Sequence, residues 1–302
     1  LIAIYQNFAG VEQISTWQDS NYINPEDAIA RAYGTLKPLN PNLLGGYLIA
    51  GIPYILGAGA ICLVQKNFKT FFSSLTFFAL CSLAVFLTGS RGAYLALAAI
   101  VAGMITIVTL VIKTDYNTAQ KLKSVWQKFV IAVISLFALV LIAVPKITKR
   151  LLSIFILRGD SSTSFRMNVY NSSWHMFCDN CILGIGAGNQ TFREIYGLYM
   201  LTGYDALSTY SVPLEIAVES GIFGLIAFVA FIGLFLFDAY KCITTKANAD
   251  GLADKIVVCA ATLTIIGVMT HGLFDTIYFR PQVQFLFWTT IAMASSVMYR
   301  QN

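Results

Sequence analysis

LTFFALCSLAVFLTGSRGAYLALAAIVAGMITIVTLVI, Leu75–Ile112, consists of two apolar runs, Leu75–Leu87 and Ala93–Ile112, joined only by Thr88-Gly89-Ser90-Arg91-Gly92. A helix needs about 20 apolar residues to cross a hydrocarbon core roughly 30 Å thick, and in lipid it must satisfy its own backbone hydrogen bonds. The five-residue joint leaves room for nothing but a tight turn at a membrane surface. That turn carries Arg91 at or near hydrocarbon depth. An arginine at a bilayer centre costs about 2.5–3.5 kcal/mol on insertion scales, so one kept there usually faces a protein-lined cavity. Its planar fork of donors suits phosphate, carboxylate or bicarbonate. The other reading is an anchor that snorkels to the headgroups and pins the turn.

Composition extends the pattern to the whole chain. The 302 residues are 57% hydrophobic and 12% charged, which excludes a soluble domain with a wetted surface. The expected fold class is all-α, a polytopic bundle with spans at Leu43–Val64, Thr70–Leu87, Gly92–Ile112, Phe129–Val144, Ile222–Phe237, Ile256–Phe274 and Val283–Met298. If these alternate, Lys66, Lys69, Lys113, Lys121, Lys123, Lys128, Lys241, Lys246, Lys255 and Arg300 fall on one side, while the opposite short loops hold only Arg91 and Arg280. Positive charge marks the cytoplasmic side. The chain therefore divides into a polar extracytoplasmic segment at 1–42, four spans at 43–144, a large extracytoplasmic loop at 145–221 and three spans at 222–302. The C-terminus is expected in the cytoplasm, and the membrane is expected to be the inner or plasma membrane.

A loop of about 75 residues is far longer than a connector needs, and such loops are usually functional or locally folded. Within it, Phe165–Phe177 interleaves aromatic and polar residues and reads as an amphipathic helix in the interface. Gly184-Ile185-Gly186-Ala187-Gly188-Asn189 lacks the βαβ surroundings of a dinucleotide site, leaving a packed turn or an anion-cradling backbone nest. Of six cysteines, only Cys178 and Cys181 form a CxxC, weak evidence for redox chemistry without a thioredoxin-like pattern. His175 and His271 lie far apart in sequence, so no metal site is expected.

Other candidates come in pairs one helical turn apart. Glu215 and Glu219 share a helix face, either lining a cavity or beginning a helix where carboxylates favour the N-terminal dipole. His271 and Asp275 form either a proton-sensitive pair or a packed structural hydrogen bond. Arg280-Pro281 turns the chain between two spans, as an anion ligand or a surface anchor.

Three motifs taken together carry a resemblance. Thr88-Gly89-Ser90-Arg91-Gly92-Ala93, then Arg166…Trp174…Gly184-Ile185-Gly186-Ala187-Gly188-Asn189, then Leu214-Glu215-Ile216-Ala217-Val218-Glu219-Ser220-Gly221-Ile222-Phe223-Gly224-Leu225 look like the O-antigen ligase and polymerase superfamily. Arg31-Ala32-Tyr33-Gly34-Thr35…Asn40-Pro41-Asn42-Leu43-Leu44 and His271-Gly272-Leu273-Phe274-Asp275-Thr276…Arg280-Pro281-Gln282 are most similar to its cyanobacterial IctB-type bicarbonate transporter branch. The resemblance implies that Arg91 and Arg166 hold a lipid-linked pyrophosphate or a smaller anion. It also implies N-terminal helices of the same protein ahead of Leu1.

The chain departs from the ligase pattern at one position. Ligases of the superfamily place a histidine four residues before the Leu-Glu pair as the proposed catalytic group, and here that position is Tyr210. A tyrosine with its ordinary pKa near 10 is a poor base at neutral pH. Two functions follow as expectations. One is a bicarbonate carrier with a vestibule formed by Arg91, Arg166, Arg280, His271 and Asp275. The other is a glycan ligase or polymerase acting on an undecaprenyl-pyrophosphate-linked saccharide, with Tyr210, Glu215 or Glu219 assisting the acceptor hydroxyl. Expected partners are that anion or lipid-linked glycan and the membrane lipids. Neither nucleic acid nor a cofactor is expected.

Overall fold

In the computed structural model, which describes residues 1–9, 31–114, 161–245 and 251–301, the Leu75–Ile112 stretch lies in two helices folded about the Arg91 turn. The helices in chain order are α1 (Ile2–Phe8), α2 (Pro41–Val64), α3 (Phe68–Leu87), α4 (Arg91–Thr114), α5 (Ser161–Asp179), α6 (Asn189–Tyr196), α7 (Val212–Thr244), α8 (Leu252–Gly272) and α9 (Pro281–Gln301). A short 3-10 turn, Ile277–Phe279, precedes α9. No strand occurs among the described residues, and the chain is an all-α polytopic membrane protein.

Local chemistry sets the helix starts. Asn40 caps α2 by accepting from the Asn42 and Leu43 amides, and Pro41 at the first helical position loses no hydrogen bond there. Between α3 and α4, Thr88 Oγ1 donates to the Val85 carbonyl at 2.7 Å and accepts from the Ser90 amide at 3.2 Å. Gly89, at φ 61, takes the left-handed conformation that ends α3. Tyr94 Oη donates to the Phe86 carbonyl at 2.6 Å and ties the turn from inside.

Among the described residues five helices, α2, α3, α4, α7 and α8, are long and apolar enough to cross a membrane. The most buried of these is α8, which packs against α2, α4, α7 and α9. Its Thr264 hydroxyl donates to the Ala50 carbonyl of α2 at 3.1 Å, beside Pro53. Pro53 leaves the Ile49 carbonyl without its helical amide, and Thr264 meets the neighbouring Ala50 carbonyl.

Three expected spans differ from or fall outside this set. Phe129–Val144 lies outside the described residues. The segment Val283–Met298 lies within α9, but Gln284, Thr289, Thr290, Ser295 and Ser296 leave that helix less apolar than the five. The span expected at Ile222–Phe237 sits inside the longer α7, which starts at Val212 and breaks at Gly221. Glu215, Glu219 and Ser220 make the first turns of α7 polar, which is why sequence alone assigned them to the loop.

That break is a joint between two parts of the protein. A second core of Val169, Met176, Phe177, Phe192, Tyr196, Ala206, Ala217 and Val218 packs α5 and α6 onto the start of α7. The Phe165–Phe177 stretch does form a helix, within α5. Its buried stripe Val169, Ser172, Ser173, Met176 and Phe177 faces protein, while Met167 and Trp174 are exposed. At the break, the Ile222 amide donates to Cys181 O at 2.8 Å and the Ile185 amide to Val218 O at 2.9 Å. Gly221 has φ 68, and a Cβ there would lie 2.2 Å from Ile182 O. Gly221→Ala is expected to destabilise the protein by at least the roughly 1–3 kcal/mol of a strained backbone position, read as a lowered Tm in detergent or nanodiscs.

Candidate functional site

Where α2 and α4 begin and α8 ends, their termini and the chain after α8 form a small polar cleft, partly open to solvent. It is lined by Arg31, Asn42, Gly89, Ser90, Arg91, Gly92, Arg166, His271, Phe274 and Asp275. The Arg91 turn forms one wall. Ser90 Oγ accepts from the Ala93 amide at 3.4 Å and lies 3.3 Å from Nε2 of His271, which is wholly buried. The His271 Nδ1 has no hydrogen-bond partner among the described residues.

A chain of polar contacts closes the opposite wall. Arg31 folds onto the turn, its Nε donating to Thr88 O at 2.8 Å while the Ala32 amide donates to Leu87 O at 2.9 Å. Arg31 Nη2 donates to Asn42 Oδ1 at 2.8 Å, and Asn42 Nδ2 donates to Asp275 Oδ2 at 2.6 Å. Arg166, reaching in from α5, contacts the same Asp275 oxygen at 3.4 Å. Among the described residues the cleft thus gathers three guanidinium groups and one carboxylate. Such a concave positive surface attracts anions, and the planar guanidinium fork favours oxyanions.

Of the residues singled out from sequence, Arg91, Arg166, His271 and Asp275 meet in this cleft. His271 pairs with Ser90 and not with Asp275. Arg280 stands apart from the lining, and its carbonyl accepts the Val283 and Gln284 amides at the start of α9. Arg31, Asn42 and Ser90 stand in sequence motifs that carry no chemical role by themselves. Their signal was positional, since two long segments of sequence separate Arg31 from its contacts in the turn and Asp275 from Asn42.

The three catalytic candidates lie beside the cleft or away from it. Glu215 is buried and its Oε2 accepts the Thr209 amide at 2.6 Å. Thr209 Oγ1 in turn donates to Ser211 O at 2.8 Å, so Glu215 holds the short turn that carries Tyr210. Tyr210 has φ 55, unusual for a residue with a side chain, and its carbonyl accepts from Tyr170 Oη at 3.1 Å. Its ring lies under Arg166, with the guanidinium carbon 5.8 Å from the centroid. Burial first, and the Asp275 charge second, push the Tyr210 phenol up to about 12. The direction is wrong for a base, because the hydroxyl stays protonated throughout the working range. Tyr210→Phe is therefore expected to leave function near wild type, whereas Tyr210→Ala removes a cation–π contact of about 0.5–2 kcal/mol and weakens anion binding by several-fold or more. Ligand titration of both variants between pH 6 and 10 checks this, and no Tyr210 ionisation should appear in that window.

The glycine-rich turn has already found its anion. Its Gly188 amide donates to Glu219 Oε1 at 3.0 Å and its Gly186 amide to Glu219 O at 3.0 Å, so it packs against α7 with Glu219 as its clasp. Cys178 and Cys181 are both exposed and unbonded to each other. Among the described residues no three His, Cys, Asp or Glu side chains converge as a metal site would require.

A family model described as O-antigen ligase matches residues 76–229, half of the chain. The matched span contains the Arg91 turn, Arg166, Tyr210 and the start of α7, while Arg31, Asn42, His271 and Asp275 lie outside it. No curated protein matches the chain.

Proposed function

The chain belongs to the O-antigen ligase family, and on that premise we propose that it transfers a glycan from a lipid-linked pyrophosphate donor held in the arginine cleft. The observation that carries this reading is the convergence of Arg31, Arg91 and Arg166 on one cleft at one end of the membrane bundle. A pyrophosphate diester presents two linked phosphate groups, each with oxygens that a guanidinium fork can grip. A polyprenyl tail would run along the spanning helices while its headgroup reaches the cleft at the bundle's end. The bicarbonate-carrier reading is favoured by one feature, the absence of a working base at Tyr210. Two linked phosphates engage more than one guanidinium fork at once, which a single small oxyanion does not, so the donor reading fits better.

The lysine distribution supports an extracytoplasmic cleft, on the side opposite the lysine-bearing loops. Reporter fusions at Lys69 and Lys246 should then report cytoplasm, and a fusion at Gly203 the opposite side. A cytoplasmic signal from Gly203 would reverse the orientation. The binding step is tested with the purified chain in nanodiscs. Polyprenyl pyrophosphate should bind, inorganic pyrophosphate should compete, and bicarbonate at equal concentration should not. Competition by bicarbonate alone would favour the carrier.

A further inference from the structure

We infer that Asp275 is the general base of the transfer reaction, receiving the acceptor hydroxyl's proton on Oδ1; the inference rests on the glycosyl-transfer reading above. The transfer needs such a group, and Tyr210, Glu215 and Glu219 do not supply it. Tyr210 presents a protonated phenol, Glu215 is committed to the Thr209 amide, and Glu219 clasps the glycine-rich turn. Asp275 is the only carboxylate lining the cleft among the described residues.

Its geometry is that of a positioned acceptor. One oxygen, Oδ2, is fixed by Asn42 Nδ2 at 2.6 Å and Arg166 Nη2 at 3.4 Å, while Oδ1 takes no hydrogen bond from the described residues. The backbone beneath it is held, because the next residue, Thr276, is buried and its hydroxyl lies 2.9 Å from Ser208 Oγ. Arg166 also joins the base to the anion site, placing a donor's phosphate and the proton acceptor on either side of one guanidinium.

The step balances without a further reactant. The acceptor oxygen attacks the anomeric carbon of the donor sugar and forms the new glycosidic bond. The bond from that carbon to the phosphate oxygen breaks, and its electron pair leaves with polyprenyl pyrophosphate. The hydroxyl proton passes to Asp275 Oδ1 and from there to water. As the anomeric centre gains oxocarbenium character the attacking hydroxyl becomes more acidic, and a carboxylate serves as base in inverting glycosyl chemistry for that reason.

The test uses the full chain in proteoliposomes with a polyprenyl-pyrophosphoryl sugar as donor. Asp275→Asn keeps the side chain's shape and its contact with Asn42. It is expected to lower kcat about 10²–10⁴-fold with donor KM within a few-fold of wild type. Azide, which needs no deprotonation, should restore release of polyprenyl pyrophosphate as a glycosyl azide, and Asp275→Glu should keep part of the transfer. Wild-type kcat in Asp275→Asn would overturn the assignment. So would loss of donor binding in Asp275→Asn with no azide product, which would make the carboxylate a brace for Arg166 only. Failure of the ligase reading looks different: wild type then releases no polyprenyl pyrophosphate with any acceptor, azide included, and the proposal falls with it.

Discussion

Arg91→Lys is expected to lose glycan transfer almost as completely as Arg91→Ala, each falling about 10²–10³-fold in kcat at wild-type protein levels, the loss typical of removing one donor from a developing oxyanion. A lysine restores the charge but not the planar pair of donors that grips two oxygens of one phosphate. Arg166→Ala should fall as far, because it removes an anion ligand together with the partner of Asp275 and the cation above Tyr210. The assay is transfer from a lipid-linked donor in reconstituted membranes. Normal turnover in Arg91→Lys would mean that Arg91 is the headgroup anchor its position at the turn also allows.

Glu215 separates a structural carboxylate from a catalytic one. Glu215→Gln keeps an oxygen for the Thr209 amide and should transfer at near wild-type rate. Glu215→Ala strands that buried amide, which costs about 1–3 kcal/mol, and releases the turn that seats Tyr210 beneath Arg166. It should lose stability and, through the displaced Arg166, an order of magnitude or more in transfer. A loss in Glu215→Gln as deep as in Glu215→Ala, with unchanged Tm, would return Glu215 to the list of bases.

The membrane architecture was legible in the sequence because apolar length is a one-dimensional signal, and α2, α3, α4 and α8 fall where the apolar runs predict them. The start of α7 was not, since its first turns are polar and pack against α5 and α6 instead of lipid. Arg91 stood out because a charge in a short apolar joint is conspicuous by itself. Arg31 and Asn42 did not, because their importance comes from lying against Thr88 and Asp275, residues remote in the chain. The Glu215 and Glu219 spacing correctly put both on one helix, yet spacing says nothing of which backbone amides their carboxylates meet. The glycine-rich turn offered the same ambiguity, and only the fold shows that Glu219 fills it.

On the glycosyl-transfer reading the arginine cleft serves a lipid-linked pyrophosphate donor. That role is tested most directly by measuring glycan transfer and bicarbonate flux in the same proteoliposomes, with wild type, Arg91→Ala and Arg166→Ala side by side. Wild type is expected to transfer glycan, both variants to lose about 10²–10³-fold of that rate, and bicarbonate flux to be no greater than in empty vesicles. Bicarbonate flux that requires Arg91 and Arg166, with no transfer in any sample, would contradict that role.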